Sequence, residues 1–428
     1  MTTIRRAAAT TVFAAFVVAR TTAAPSQTGA PASFELPSPT GRYPVATTSW
    51  RLTDRSRPET FAEAGAFREV EVLAWYPGAP GRGAAAPYLR EGLNEVHPFA
   101  KLFGEETAFD GVKEVRTHAQ LDGLPAATPG KFPVLVFSHG YTGIPSSYTA
   151  LLEDLASHGY AVLSVIHPYE ASGATLADGR VVSTLGKDGK FVQGVQDVLA
   201  EWQSEDATMA AVTRATDDAE QVRLLRGYLA GLQRTGIALR RWVDDTTLVL
   251  DRISSLPKAT AAGRLAARLD LGRVGAFGHS MGGVTSGQFC VEDRRCLAGL
   301  NLDGIPQYGA MIDTPMPRPF LMVYSARPGR GGASDAIYRR AGHPYIRVDV
   351  RDTGHLEFSD MVFWGGPLRE RPVLGKIAPA RAVEITRAIV RQYFDQVLLG
   401  KRSPLLAGEP LFPEVTVRTV PPPGASRD

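Results

Sequence analysis

Cysteine is nearly absent from this chain of 428 residues: Cys290 and Cys296 are all there is. Two thiols cannot supply the four ligands of a structural zinc site, and this spacing is unlike one. Charge of one sign is lacking too, with 47 basic residues against 44 acidic ones and a formal net charge of +3. That balance gives no reason to expect nucleic acid or a strongly acidic partner. Long apolar runs are missing: the mildly apolar stretch Ala7–Ala19 has 13 residues, too short for a hydrocarbon core of about 30 Å. Internal repeats are absent. What remains is a chain with 44% apolar residues, enough to bury a large core in one α/β unit.

The N-terminus carries an address. Arg5 and Arg6 precede the Ala7–Ala19 run, and Thr21-Thr22-Ala23-Ala24 follows it. This is the layout of a secretory signal over residues 1–24, with cleavage expected after Ala24 and Ala23 as the alternative, and it predicts an extracellular protein. In an exported chain the isolated pair Cys290 and Cys296 implies one local disulfide. Residues 25–40, rich in Pro, Ser and Ala, read as a flexible leader. A folded domain over 41–405 follows, then a tail over 406–428 with Pro421-Pro422-Pro423, read as disordered.

The domain is organised around Gly278-His279-Ser280-Met281-Gly282-Gly283. An apolar strand ends in this motif and a helix leaves it, the strand–turn–helix context of a nucleophile elbow with Ser280 as nucleophile. Phe132–Phe137 is a continuous apolar run, hence a strand buried on both faces. It ends in Ser138-His139-Gly140-Tyr141, the turn where an α/β-hydrolase places its second oxyanion donor. The main-chain N–H groups of Tyr141 and Met281 are the candidates. Tyr148–His158 reads as a helix and Ala161–Ile166 as the next strand, so the sheet is mostly parallel with helices on both faces. Residues 185–256 are a helical insertion, or cap, before the elbow. The apolar positions Leu93, Val96, Phe99, Leu102 and Phe103 in segment 88–110 suit core packing, or else a lid or lipid-facing patch.

A serine hydroxyl needs a base, and the base needs an orienting acid. His343 and His355 alone follow Ser280. His355 lies in a Gly-containing loop after the last strand before the terminal helix, where this fold carries its base. His343 precedes that strand and reads as structural, as does His167. For the acid, generic topology points two strands beyond the nucleophile strand, to Asp335, whereas Asp303 abuts the strand directly after the elbow. Asp303 is favoured because Gly304 can hold it in a tight turn, while Asp335 lies in a glycine-rich loop.

Four stretches together resemble the secreted, plasma-type platelet-activating factor acetylhydrolases: FSHGYTGIPSSYTALLEDLASHGYAVLSVIHP, RVGAFGHSMGG, RRCLAGLNLDG and DTGHLEFSD. The resemblance spans roughly residues 40–400 and is weakest in 88–125 and in the helical insertion. It implies an α/β-hydrolase fold and a triad of Ser280, Asp303 and His355, with Tyr141 and Met281 as oxyanion donors. It further implies hydrolysis of a small ester or phospholipid that needs no cofactor or metal, with transient contact at a lipid surface. The chain departs from the family at Met281, where mammalian members carry an aromatic residue, and at Gly304, where bulkier residues stand; both changes are expected to alter the pocket wall. Rival readings are a secreted lipase or polyester hydrolase, an acyltransferase of the same fold, and a non-catalytic binding protein, the last disfavoured because no triad member is missing.

Overall fold

The computed structural model describes residues 34–420, apart from 63–64, 82, 105, 306–309, 341, 344 and 410. The signal assigned to residues 1–24 therefore lies outside the described residues. In chain order the main elements are β1 (Val45–Pro58), β2 (Phe67–Pro77), β3 (Ala85–Pro87), β4 (Arg116–Leu121), β5 (Phe132–Ser138), α1 (Thr149–Ser157) and β6 (Ala161–Ile166). The insertion contributes α2 (Gln193–Glu201), α3 (Glu205–Arg214), α4 (Asp218–Ala230) and α5 (Gln233–Arg252). Then come β7 (Leu269–His279), α6 (Met281–Glu292), β8 (Cys296–Leu302), β9 (Phe320–Tyr324), β10 (Tyr345–Val350), α7 (Pro379–Leu399) and β11 (Val415–Val420).

These strands form one sheet in the order β11-β10-β9-β8-β7-β5-β6-β2-β1-β4-β3. The six strands from β10 to β6 run parallel, and β2 and β11 join them antiparallel on either side. The parallel strands are covered on both faces, which explains their near-continuous apolar sequences. Along β5, Leu135 and Phe137 enter a core shared with α1 and α7, while Val134 and Val136 enter the opposite core under α5 and α6. This is an α/β-hydrolase fold. No described helix is long and apolar enough to cross a membrane.

Two boundaries differ from expectation. Residues 34–40, read as part of a flexible leader, are docked on the domain: Leu36 is buried, and Arg387 donates to the carbonyls of Pro37 and Ser38. Thr40 N–H donates to Asp154 Oδ1 at 2.7 Å. The tail beyond 405, read as disordered, supplies β11, which pairs with all six residues of β10. An alternating Val-Thr-Val-Arg-Thr-Val strand satisfies what would otherwise be an open sheet edge.

The segment 88–110 packs inward. Phe99 and Phe109 lie against Trp364, with ring centroids 6.4 and 5.5 Å away. Cys290 and Cys296 are joined, tying the end of α6 to the start of β8. Closing so short a loop contributes about 2–3 kcal/mol. Replacing both cysteines by serine is expected to lower the unfolding free energy by that amount in urea titrations, and an unchanged midpoint would contradict it.

Candidate active site

The site is built where β5, β7 and β8 end together. Ser280 occupies the turn between β7 and α6 with φ 56° and ψ −126°, a strained conformation for a non-glycine residue. Its N–H donates to the carbonyl of Leu302 at 2.9 Å. The turn closes only because residue 282 has no side chain: a Cβ there would stand 2.0 Å from the carbonyl oxygen of Ser138. Gly304 answers to the same crowding, since its Cβ would lie 2.1 Å from the carbonyl oxygen of Ser280. Gly304 and Met281 were expected to reshape the pocket wall. The structure corrects both: Gly304 is set by its approach to Ser280, and the Met281 side chain is buried in the core beneath α6.

Asp303 follows β8, also at positive φ. Its Oδ1 accepts from Ser325 N–H at 2.8 Å, and its Oδ2 accepts from His355 Nδ1–H at 2.7 Å. Burial pushes the carboxyl up, but Arg327, His355 and Ser325 N–H outweigh it and hold it well below the usual carboxylate range. His355 is pushed down to about 4, first by burial and then by Arg327, with Asp303 opposing. Asp335, the alternative acid, is engaged elsewhere, accepting from Tyr324 and Tyr345 hydroxyls at 3.0 and 2.7 Å and from Arg347 at 2.7 Å.

Sequence reasoning passed over His279, the variable position of the elbow motif. Its Nε2–H donates to the carbonyl of His355 at 2.8 Å, and its Nδ1 accepts from the Tyr148 hydroxyl at 2.9 Å. The tautomer follows from the carbonyl, which can only accept. Tyr148 in turn takes Gly140 N–H at 3.3 Å, so the loop after β5 and the loop carrying His355 share one hydrogen-bonded chain. Among the described residues, neither Tyr141 N–H nor Met281 N–H finds an acceptor.

The loop after β5 is held from behind as well. Thr142 N–H donates to Glu170 O, and Ser172 N–H to Gly143 O, both at 2.9 Å. Around the Glu170 side chain lies a buried ion network that no local sequence pattern announces. Arg68 pairs with Asp245 at 2.6 Å and Glu59 at 2.8 Å, Arg241 with Glu170 at 2.9 Å, and Arg57 with Asp245 at 2.9 Å. His167, read as structural, donates Nδ1–H to Asp245 at 2.8 Å and stacks on Trp242. Burial pushes the Asp245 carboxyl up, but Arg68 and His167 hold it far below its ordinary range.

Ser280, His355 and Asp303 line one cavity of about 820 Å³. Its wall is largely apolar, with Phe99, Leu102, Trp202 and Ile305, and the insertion contributes Glu205 and Arg214. Fold and site together define a carboxylic ester hydrolase of the α/β-hydrolase type.

Known proteins fall in with this. The family model described as platelet-activating factor acetylhydrolase, isoform II, matches residues 85–220. That interval includes most of the stretches in which the motif resemblance was weakest. A probable 1-alkyl-2-acetylglycerophosphocholine esterase from Arthroderma benhamiae is 23% identical over 425 residues, covering 90% of this chain and 94% of its own. The platelet-activating factor acetylhydrolase of Cavia porcellus is 24% identical over 309 residues, covering 69% and 66%. A ferulic acid esterase from Streptomyces cinnamoneus superposes with a TM-score of 0.67 at 28% identity, covering 90% of this chain and 99% of its own. The chain is thus similar to the platelet-activating factor acetylhydrolases, as its motifs implied.

Replacing Asp245 by Asn would leave Arg57 and Arg68 facing a neutral amide inside the protein. Breaking a buried ion pair costs up to about 3–5 kcal/mol, moderated here because Arg68 keeps Glu59 and Arg57 keeps Asp54. Chemical denaturation is expected to register a loss of that size, and an unchanged midpoint would show the network to be dispensable.

Proposed function

We propose that the protein is a secreted serine ester hydrolase that cleaves short-acyl or lipid esters through an acyl-enzyme. The observation that carries this reading is the Asp303–His355 pair at 2.7 Å, which shares one cavity with Ser280 on its strained turn. Ser280 Oγ attacks the ester carbonyl while its proton passes to His355 Nε2. The tetrahedral oxyanion is met by the N–H groups of Tyr141 and Met281, which have no competing acceptor among the described residues. Collapse breaks the bond to the alcohol, which leaves with the proton from His355. Water then attacks the acyl-enzyme with His355 again as base, the acyl–Oγ bond breaks to release the carboxylic acid, and Ser280 Oγ takes the proton back from His355. Asp303 keeps the Nδ1–H tautomer and stabilises the transient imidazolium.

A second reading, hydrolysis of esters of aromatic acids, is favoured by the Phe99 and Trp202 side chains on the cavity wall and by the ferulic acid esterase likeness. Rates over a series of p-nitrophenyl esters, acetylated phospholipids and methyl ferulate separate the two. Faster turnover of acetyl phospholipid than of ferulate supports the first reading, and the reverse order supports the second.

Ser280→Ala is expected to abolish turnover and labelling by a serine-directed phosphonate. Asp303→Asn should lower turnover by up to about 10⁴ through the wrong histidine tautomer, with the fold intact. Asp335→Asn should stay within a few-fold of the parent. Near-parental rates for Asp303→Asn would overturn the assignment.

A further inference from the structure

The oxygen of Asp303 that serves His355 has two further partners. Besides accepting from His355 Nδ1–H, Oδ2 accepts from the Ser325 hydroxyl at 2.9 Å and forms an ion pair with Arg327 Nη2 at 2.8 Å. Arg327 reaches this position from the loop just after β9, and its Nη2 also approaches the main-chain oxygen of Asp303 at 3.4 Å. Its side chain is one-fifth exposed (20%) and lines the same cavity as Ser280. A guanidinium stays charged at every accessible pH. In a triad the carboxylate stabilises the imidazolium that forms when the base takes a proton. Here that carboxylate already answers a permanent cation through the same oxygen, so it has less to offer the imidazolium.

We propose that Arg327 is a positioning residue for the acid–base pair: it clamps the Asp303 carboxylate and, by sharing Oδ2, weakens His355 as a base, so that hydrolysis persists under acidic conditions. This rests on the reading of His355 as general base. The other charged or titratable groups facing His355 do not replace Arg327. Arg330 carries a like charge but is paired with Glu205 at 2.8 Å and with Asp206. His279, whose ring centroid is 4.5 Å from that of His355, is kept neutral by burial and by His355 itself. Among the described residues, Asp303 is the sole ion-pair partner of Arg327. The position of His355 well below an ordinary histidine agrees, with Arg327 second only to burial among its causes.

The sign is fixed. Removing Arg327 takes a like charge away from the imidazolium and frees Oδ2 for it, so His355 holds its proton to higher pH. The test is the pH dependence of kcat/KM for p-nitrophenyl acetate, and of inactivation by a p-nitrophenyl phosphonate, from about pH 4 to about pH 8. In Arg327→Gln the acid limb of both profiles is expected to move up by about one pH unit. Arg327→Lys, which keeps the charge, should keep the limb near its parental place. Arg327→Met supplies the same comparison should the Gln variant not fold. An unmoved or lowered limb in the neutral variants overturns the inference, as does a Lys limb displaced as far as theirs. His355→Ala separates the two levels: if it retains parental turnover, the general-base reading itself fails, whereas an inactive His355→Ala beside an unmoved Arg327→Gln limb removes Arg327 alone.

Discussion

The close approach of three strand ends around Ser280 is the constraint on which the rest depends. The carbonyl of Ser280 presses on Gly304 after β8, and Gly282 presses on Ser138 at the end of β5. The turn that aims Ser280 into the cavity is therefore the same contact that fixes where Asp303 and the loop after β5 begin. Strain at Ser280 and Asp303, both at positive φ, is sustained because neighbouring backbone leaves no other course. The geometry of the candidate site is a consequence of sheet packing.

Electrostatics divides the interior into two kinds of site. His139, His279 and His355 are all pushed down by burial, so each ring is neutral at ordinary pH. In His139 and His279 a backbone carbonyl accepts the hydrogen bond of one ring N–H and a second group donates to the other nitrogen. Around α5 the solution is the opposite one: Arg57, Arg68 and Arg241 interleave with Asp54, Glu59, Glu170 and Asp245 in a set of ion pairs that braces the loop bearing Tyr141. A buried network of this kind adds little net stability over an apolar core, but losing one member is costly. It joins the insertion to the sheet edge that carries the candidate site.

Much of this was legible from local sequence. The apolar run of β5 announced a strand buried on both faces, and the small residues flanking Ser280 announced a tight turn. The position of His355 after its strand marked it as the base candidate, because chain order in this fold follows sheet order. The acid could not be settled that way, since Asp303 and Asp335 both end strands at the same sheet edge; the structure brings Asp303 to His355 and commits Asp335 to Tyr324, Tyr345 and Arg347. Residues 34–40 and the β11 segment were misread for another reason. Residues 34–40 have the composition of a loop and are ordered by docking against Arg387; the β-branched alternation of Val415–Val420 is masked by the adjoining Pro421-Pro422-Pro423 and shows itself in pairing with β10.

Sequence alone determined what is written in neighbouring residues: strand and helix periodicity, the glycines that a sharp turn demands, and the order in which nucleophile and base appear. Tertiary structure decided everything that depends on residues far apart in the chain meeting. Arg327 lies 24 positions beyond Asp303 yet shares its carboxylate oxygen with His355, and Asp245 meets Arg68 across 177 positions. Coulombic attraction and hydrogen bonding act through space, over a few ångströms, and carry no periodicity along the chain. Such contacts leave no mark in a local pattern, so the tuning of the site emerged only when the sheet had placed its edges together.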